Sequence, residues 1–160
     1  MKSSIRQETI SNFFIPFCNI VMKPVLEYSL KFDGCCKGNP GPAGAGAVIY
    51  KNNNEIASVY AFVGDKATNN IAEYHGLIIG LEKAHELGIK NLAVMGDSKL
   101  IIEQMKGEFK VSSQNIIGFY KRASGLSKLF DEITYEHVIR KENARADELA
   151  NMGLQSKTNA

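Results

Sequence analysis

The chain has 160 residues, 44% hydrophobic and 22% charged, with a formal net charge of +2 and a pI near 8.4. Those values are ordinary for one soluble domain with a substantial core, and a bias this mild is compatible with a nucleic-acid partner without arguing for one. Three cysteines, two of them adjacent at Cys35 and Cys36, exclude a disulfide framework, no Cys/His group has zinc spacing, and a reducing, intracellular setting is expected.

Residues 1–24 differ from the rest. Phe13 to Met22 (FFIPFCNIVM) is apolar but too short to span a bilayer, and Pro16 and Asn19 interrupt it. Lys2, Arg6 and several serines fit an organelle-targeting segment, whereas Glu8 counts against one; a poorly ordered extension, or sequence upstream of a start at Met22, are the alternatives. The expected domain covers residues 25–154, followed by a polar, frayed tail at 155–160.

Val25 to Asp33 alternates apolar Leu26, Tyr28, Leu30 and Phe32 with Glu27, Ser29 and Lys31, the period of a strand. The glycine- and proline-rich stretch Gly34 to Gly46 reads as a long hairpin connection. Strands at Ala47 to Lys51 and Glu55 to Val63 follow, joined by a turn at Asn52 to Asn54, so the three form an antiparallel meander. Thr68 to Leu87 is helical, with a stripe of Leu77, Leu81 and Ala84 flanked by Ile71 and Ile78, and Gly88 ends it. Leu92 to Met95 is a short buried strand, Ser98 to about Lys106 a helix, and Gln114 to Phe130 a helix burying Ile117, Tyr120, Leu126 and Leu129. Ile133 to Ile139 is the last strand, and Asn143 to Met152 the last helix with Asn143 as its N-cap. The order β-β-β-α-β-α-α-β-α predicts an α/β fold: a five-stranded mixed sheet, three antiparallel strands then two parallel, flanked by helices.

Four acids stand where these elements begin or end. Asp33 closes the first strand and Asp97 the fourth, at the carboxyl ends where open sheets gather ligands. Glu73 lies in the apolar stripe of its helix, four residues before Leu77, where a carboxylate is costly unless paired or metal-bound. Asp147 is surrounded by Ala146, Leu149 and Ala150. Singly, each has an ordinary explanation: a turn at Asp33, a cap at Asp97, an interior ion pair at Glu73, exposure at Asp147. Together they predict a convergent carboxylate site for hard divalent cations, and paired magnesium ions there can cut a phosphodiester without a covalent nucleophile.

The motifs carrying these acids resemble type 1 ribonuclease H over about Val25 to Gly153. They are FDGCCKGNPGPAGAGAV from Phe32, TNNIAEYHGLIIGLE from Thr68, GDSKLIIEQMKGEF from Gly96 and NARADELAN from Asn143. The resemblance implies an endonuclease that hydrolyses the RNA strand of RNA/DNA hybrids, leaving 5′-phosphate and 3′-hydroxyl ends. It also implies two Mg2+ ions, with Mn2+ as a substitute, held by Asp33, Glu73, Asp97 and Asp147. Asn39, Asn69 and Asn70 are implied to meet the hybrid's minor groove, Gly34 to admit the RNA backbone, Thr68 to seat a DNA phosphate, and Arg145 to lie near the scissile region. A monomer without membrane association is expected, in the cytoplasm or nucleus, or in an organelle if residues 1–24 are a targeting segment.

Two features depart from many bacterial members. The link HVIRKEN between the last strand and helix is short. Counting back from Asp147 makes His137 look like the family's loop histidine, whereas the strand period places it in the last strand. On the strand reading, Arg140 serves near the leaving phosphate. The segment Lys106 to Gln114 also lacks the basic insertion that grips substrate in some members, so Lys37, Lys106, Lys110 and Arg145 are expected to share the phosphate contacts with a smaller salt dependence. The rival readings are another nuclease of the same fold and a nucleic-acid-binding module without catalysis.

Overall fold

The computed structural model describes residues 25–157; the expected N-terminal extension, and residues 158–160 of the tail, lie outside them. Strands β1 (Tyr28–Cys36), β2 (Gly41–Lys51) and β3 (Asn54–Ala67) precede helix α1 (Asn69–Glu86), strand β4 (Asn91–Gly96) and helices α2 (Lys99–Met105) and α3 (Gln114–Ser127). Strand β5 (Glu132–His137), a 3-10 turn (Arg140–Asn143) and helix α4 (Ala144–Ser156) complete the chain. The sheet order is β3-β2-β1-β4-β5, with β1, β2 and β3 antiparallel and β4 and β5 parallel to β1. The expected architecture is therefore the observed one.

Asn52 and Asn53 make the β2–β3 hairpin turn at φ 49° and 68°, a left-handed conformation that asparagine tolerates well. Alternation along β2 then assigns the layers. Ala47 and Ile49 pack with Leu77, Leu81 and Ile101 from α1 and α2, whereas Val48 packs with Ala146 and Leu149 of α4. Successive strand side chains point to opposite faces, so α4 covers the face opposite α1. Among the described residues no helix is long and apolar enough to cross a membrane.

The stretch Gly34 to Gly46 is not a long loop. Strand β1 continues to Cys36 and β2 starts at Gly41, leaving a short turn between. Its small residues are strand residues pressed by a helix on either face. A Cβ on Gly34 would lie 2.3 Å from the carbonyl carbon of Ala72 in α1, and one on Gly46 would lie 2.6 Å from Ala150 N in α4. Glycine here permits close approach of backbones, which loop-like composition conceals.

Three further expectations change. In α3 the residues facing the core are Ile116 and Ala123, with Tyr120 and Leu126 only partly buried and Leu129 46% exposed. Ile116 and Ala123 are two helical turns apart, and continuing that step reaches buried Phe130. Helix α4 runs through Ser156, whose hydroxyl donates to Gly153 O at 2.6 Å, so Gln155 and Ser156 belong to the helix, not to a tail. Asn143 precedes α4 but makes no side-chain cap. It is fully buried, and its Nδ2 donates to Phe32 O at 2.9 Å, tying the start of α4 to the middle of β1. Asn143→Ala strands that carbonyl, and we expect a loss of about 1–3 kcal/mol, read from the urea midpoint at unchanged m-value.

Candidate active site

Phe32 of β1 and Gly96 of β4 are the last partners in the parallel ladder, so Asp33 and Asp97, the next residue of each segment, lie side by side where that ladder ends. Helix α1 crosses β1 closely: a Cβ on Gly76 would lie 2.5 Å from Asp33 O. That approach carries Glu73 over the same end of the β1–β4 ladder. Oxygens of Asp33, Glu73 and Asp97 come within 4.8 Å of one another. Asp147, one turn beyond the Asn143 anchor, joins them along a cavity of about 480 Å3 shared with Asn69, Asn70 and Arg140. A larger cavity of about 740 Å3 lies along β1, β4 and β5 but contains none of the four acids; convergence of carboxylates, and not volume, selects the site.

Asp33 is only 4% exposed, and burial, reinforced by the charge of Asp97 and by Asp147, pushes its carboxyl up to about 7. A hydrogen bond with Glu73 and the Gly34 backbone N–H, which donates to Asp33 Oδ1 at 2.9 Å, oppose the rise. Glu73 is raised well above the usual carboxylate range, first by burial and then by Asp33. Its Oε2 is buried with no hydrogen-bond partner. Buried, mutually repelling hard oxygens with an orphaned acceptor fit a divalent cation such as magnesium: it would replace lost hydration and relieve the repulsion.

The other expected residues divide. Gly34, Asn69, Asn70 and Arg140 line the acid cavity. Arg140 Nη2 stands 4.0 Å from Asp147 Oδ1, with its side chain 83% exposed over the rim. Asn69 and Asn70 also form the wall of an adjoining cavity of about 420 Å3, together with Asn39 and Thr68. Asn39 Oδ1 accepts from Asn69 N–H at 3.1 Å, tying the β1–β2 turn to α1, and Thr68 Oγ1 caps the helix by accepting from Ile71 N–H at 3.3 Å. Ser113 and Asn115 complete this second cavity and were missed in sequence. The signal available was a Ser-x-Asn pair opening a helix.

Arg145 is not brought to the acids. Its guanidinium binds Glu55 of β3 at 2.7 Å and Glu148 at 3.1 Å. On a helix, two residues of separation turn side chains by about 200°, so Arg145 and Asp147 face nearly opposite ways. His137 is the last residue of β5, paired with Gly96, and its Nε2 donates to Asp97 O at 3.2 Å, which supports the strand assignment. Lys37, Lys106 and Lys110 do not line either cavity, and Lys106 pairs with Glu103 at 3.8 Å.

A family model described as "Reverse transcriptase-like" matches residues 31–153. "Bifunctional protein Rv2228c" of Mycobacterium tuberculosis is 46% identical over 137 residues, which cover 84% of this chain and 36% of that protein. The chain thus spans about a third of that relative's length. The solved N-terminal RNase H domain of that protein, fused to maltose binding protein, superposes with a TM-score of 0.78 at 41% identity, covering 85% of this chain and 100% of that one. RNase H1 of the archaeon Halobacterium salinarum gives 0.76 at 36%, covering 81% and 98%. LC11-RNase H1, solved in complex with RNA/DNA hybrid, gives 0.76 at 33%, covering 82% and 99%.

Proposed function

The chain belongs to the reverse transcriptase-like family, in its type 1 ribonuclease H branch, and we propose that it hydrolyses the RNA strand of RNA/DNA hybrids. The observation that carries this reading is the convergence of Asp33, Glu73 and Asp97 oxygens within 4.8 Å, on a cavity whose wall is Asn69 and Asn70.

Asp33, Glu73, Asp97 and Asp147 would hold two magnesium ions, for which manganese could substitute. When bound, the ions supply Lewis-acid activation of an attacking water and stabilise the leaving oxygen. The water oxygen bonds to phosphorus, the P–O3′ bond breaks, and the departing oxygen takes a proton, giving 5′-phosphate and 3′-hydroxyl ends. Amide side chains of Asn69, Asn70 and Asn39 both donate and accept, as recognition of ribose 2′-hydroxyls in a minor groove requires. Gly34 lines the acid cavity beside Asp33 and meets the RNA strand there, while the space of its missing side chain is taken by α1, and Thr68 in the second cavity receives a DNA phosphate. Arg140, at the rim beside Asp147, meets the phosphate being cut. One chain supplies every residue in this scheme, consistent with a monomer.

The test is purified protein with labelled RNA/DNA hybrid, duplex RNA and duplex DNA, each with magnesium, manganese or chelator. Only the RNA strand of the hybrid is expected to be cut, and chelator should abolish cutting. Comparable cutting of duplex DNA would remove the substrate assignment.

A further inference from the structure

We propose that the buried hydrogen bond between Tyr74 and Gln104 is a positioning device that sets the spacing of Glu73 from Asp97 and so governs how tightly this chain holds its cation. The inference rests on reading the acid cluster as a magnesium site.

The three closest acids form a triangle, and each side has its own tie. Asp33 and Asp97 are held by the β1–β4 ladder, which reaches Phe32 and Gly96 immediately before them. Asp33 and Glu73 are held by the glycine contacts of α1 on β1, where Gly34 abuts Ala72 and Glu73 and Gly76 abuts Asp33. The third side joins α1 to the β4–α2 segment. There Tyr74, next to Glu73, donates its hydroxyl to Gln104 Oε1 of α2 at 2.6 Å. Ser98, directly after Asp97, caps α2 by accepting from Ile101 N–H, so movement of α2 carries Asp97 with it.

Among the described residues the buried polar side chains are Asp33, Asn143 and Gln104. Asp33 belongs to the acid cluster, and Asn143 anchors the helix bearing Asp147. Gln104 is 4% exposed and Tyr74 is fully buried, with Leu77, Ile101 and Ile102 in the same core. An apolar pair of similar volume fills such a place without a polar group to satisfy, but apolar contact tolerates sliding. A directional hydrogen bond fixes where one helix stands along the other. Outer partners that orient metal ligands commonly change metal affinity about 10–100-fold when removed.

The test uses the full chain and two variants, Tyr74→Phe and the double variant Tyr74→Phe with Gln104→Met. Magnesium concentration at half-maximal hydrolysis and magnesium-induced rise in melting temperature are both measured, with KM for the hybrid. Tyr74→Phe should raise the magnesium midpoint about tenfold in both measurements while KM stays unchanged. It should also lower the metal-free melting temperature, because Gln104 is left unpaired. The double variant should recover that melting temperature yet keep the raised magnesium midpoint. Recovery of both together would show a merely structural pair and overturn the proposal, as would an unchanged midpoint in Tyr74→Phe. If the natural chain cuts no hybrid at all, the functional reading fails instead, and the melting shift still decides the positioning role.

Discussion

Asp33→Asn and Asp97→Asn should each lower the initial rate of hybrid hydrolysis by at least about a thousandfold, because members of one catalytic unit are not replaced by their neighbours. Rates are compared at saturating magnesium with the folded fraction checked by circular dichroism. Activity within tenfold of the natural chain in either variant would remove the two-metal scheme. The same carboxylates predict an unusual pH response. Asp33 moves from 3.8 to about 7 on folding, and Glu73 also moves upward. The folded state therefore binds more protons than the unfolded one between those values. The sign follows: without metal, this contribution to stability is full below about pH 4 and is lost as pH rises toward about 7. A melting series in chelator should fall across that interval, magnesium should restore stability most strongly at the alkaline end, and Asp33→Asn should flatten the fall. A metal-free melting temperature that rises through the interval in the natural chain and is unaffected by Asp33→Asn would contradict the assignment.

The second large effect is expected at Gly34, where the clash is with backbone. A Cβ at Gly34 would meet Ala72 C at 2.3 Å and Glu73 N at 2.4 Å, so α1 must lift from β1. Gly34→Ala should cost about 3 kcal/mol, the upper part of the usual range for overpacking, and reduce turnover about a hundredfold by displacing Glu73. Gly118→Ala is the matched control. It lies inside α3 with nothing within 4 Å of an added Cβ, and should be neutral or stabilising by up to about 1 kcal/mol. Urea unfolding and hybrid turnover on both variants decide the matter. Equal behaviour of the two would mean that α1 can shift freely, and the close contact would not be what places Glu73.

Much of the fold was legible because the pattern was local. Alternation marked β1, the stripe through Leu77 and Leu81 marked α1, and Asn52-Asn53 marked the hairpin; each is written within a dozen neighbouring residues. The acids were legible from their local settings, although only Asp97 stands at an element boundary: β1 runs three residues past Asp33, and Glu73 and Asp147 lie within the first turns of their helices. The family resemblance supplied the asparagines expected to meet substrate, of which Asn69 and Asn70 do line the acid cavity. The resemblance placed Arg145 near the scissile region, but two residues of helical separation turn it away from Asp147, toward Glu55 and Glu148. Glu148 is a local i,i+3 partner, whereas Glu55 is found only when α4 is laid on β3.

Element identity and the candidacy of the four carboxylates were thus carried by local periodicity and local chemistry, whereas the strand order came from the tertiary structure. The close packing was not. That Gly34 and Gly46 are strand positions under two helices, that Asn143 ties α4 to Phe32 instead of capping, and that Tyr74 meets Gln104 are relations between distant segments. Their physical basis is steric fit and directional bonding across layers. Neither exists until the sheet and helices are brought together, and together they bring Asp33, Glu73 and Asp97 oxygens within 4.8 Å of one another.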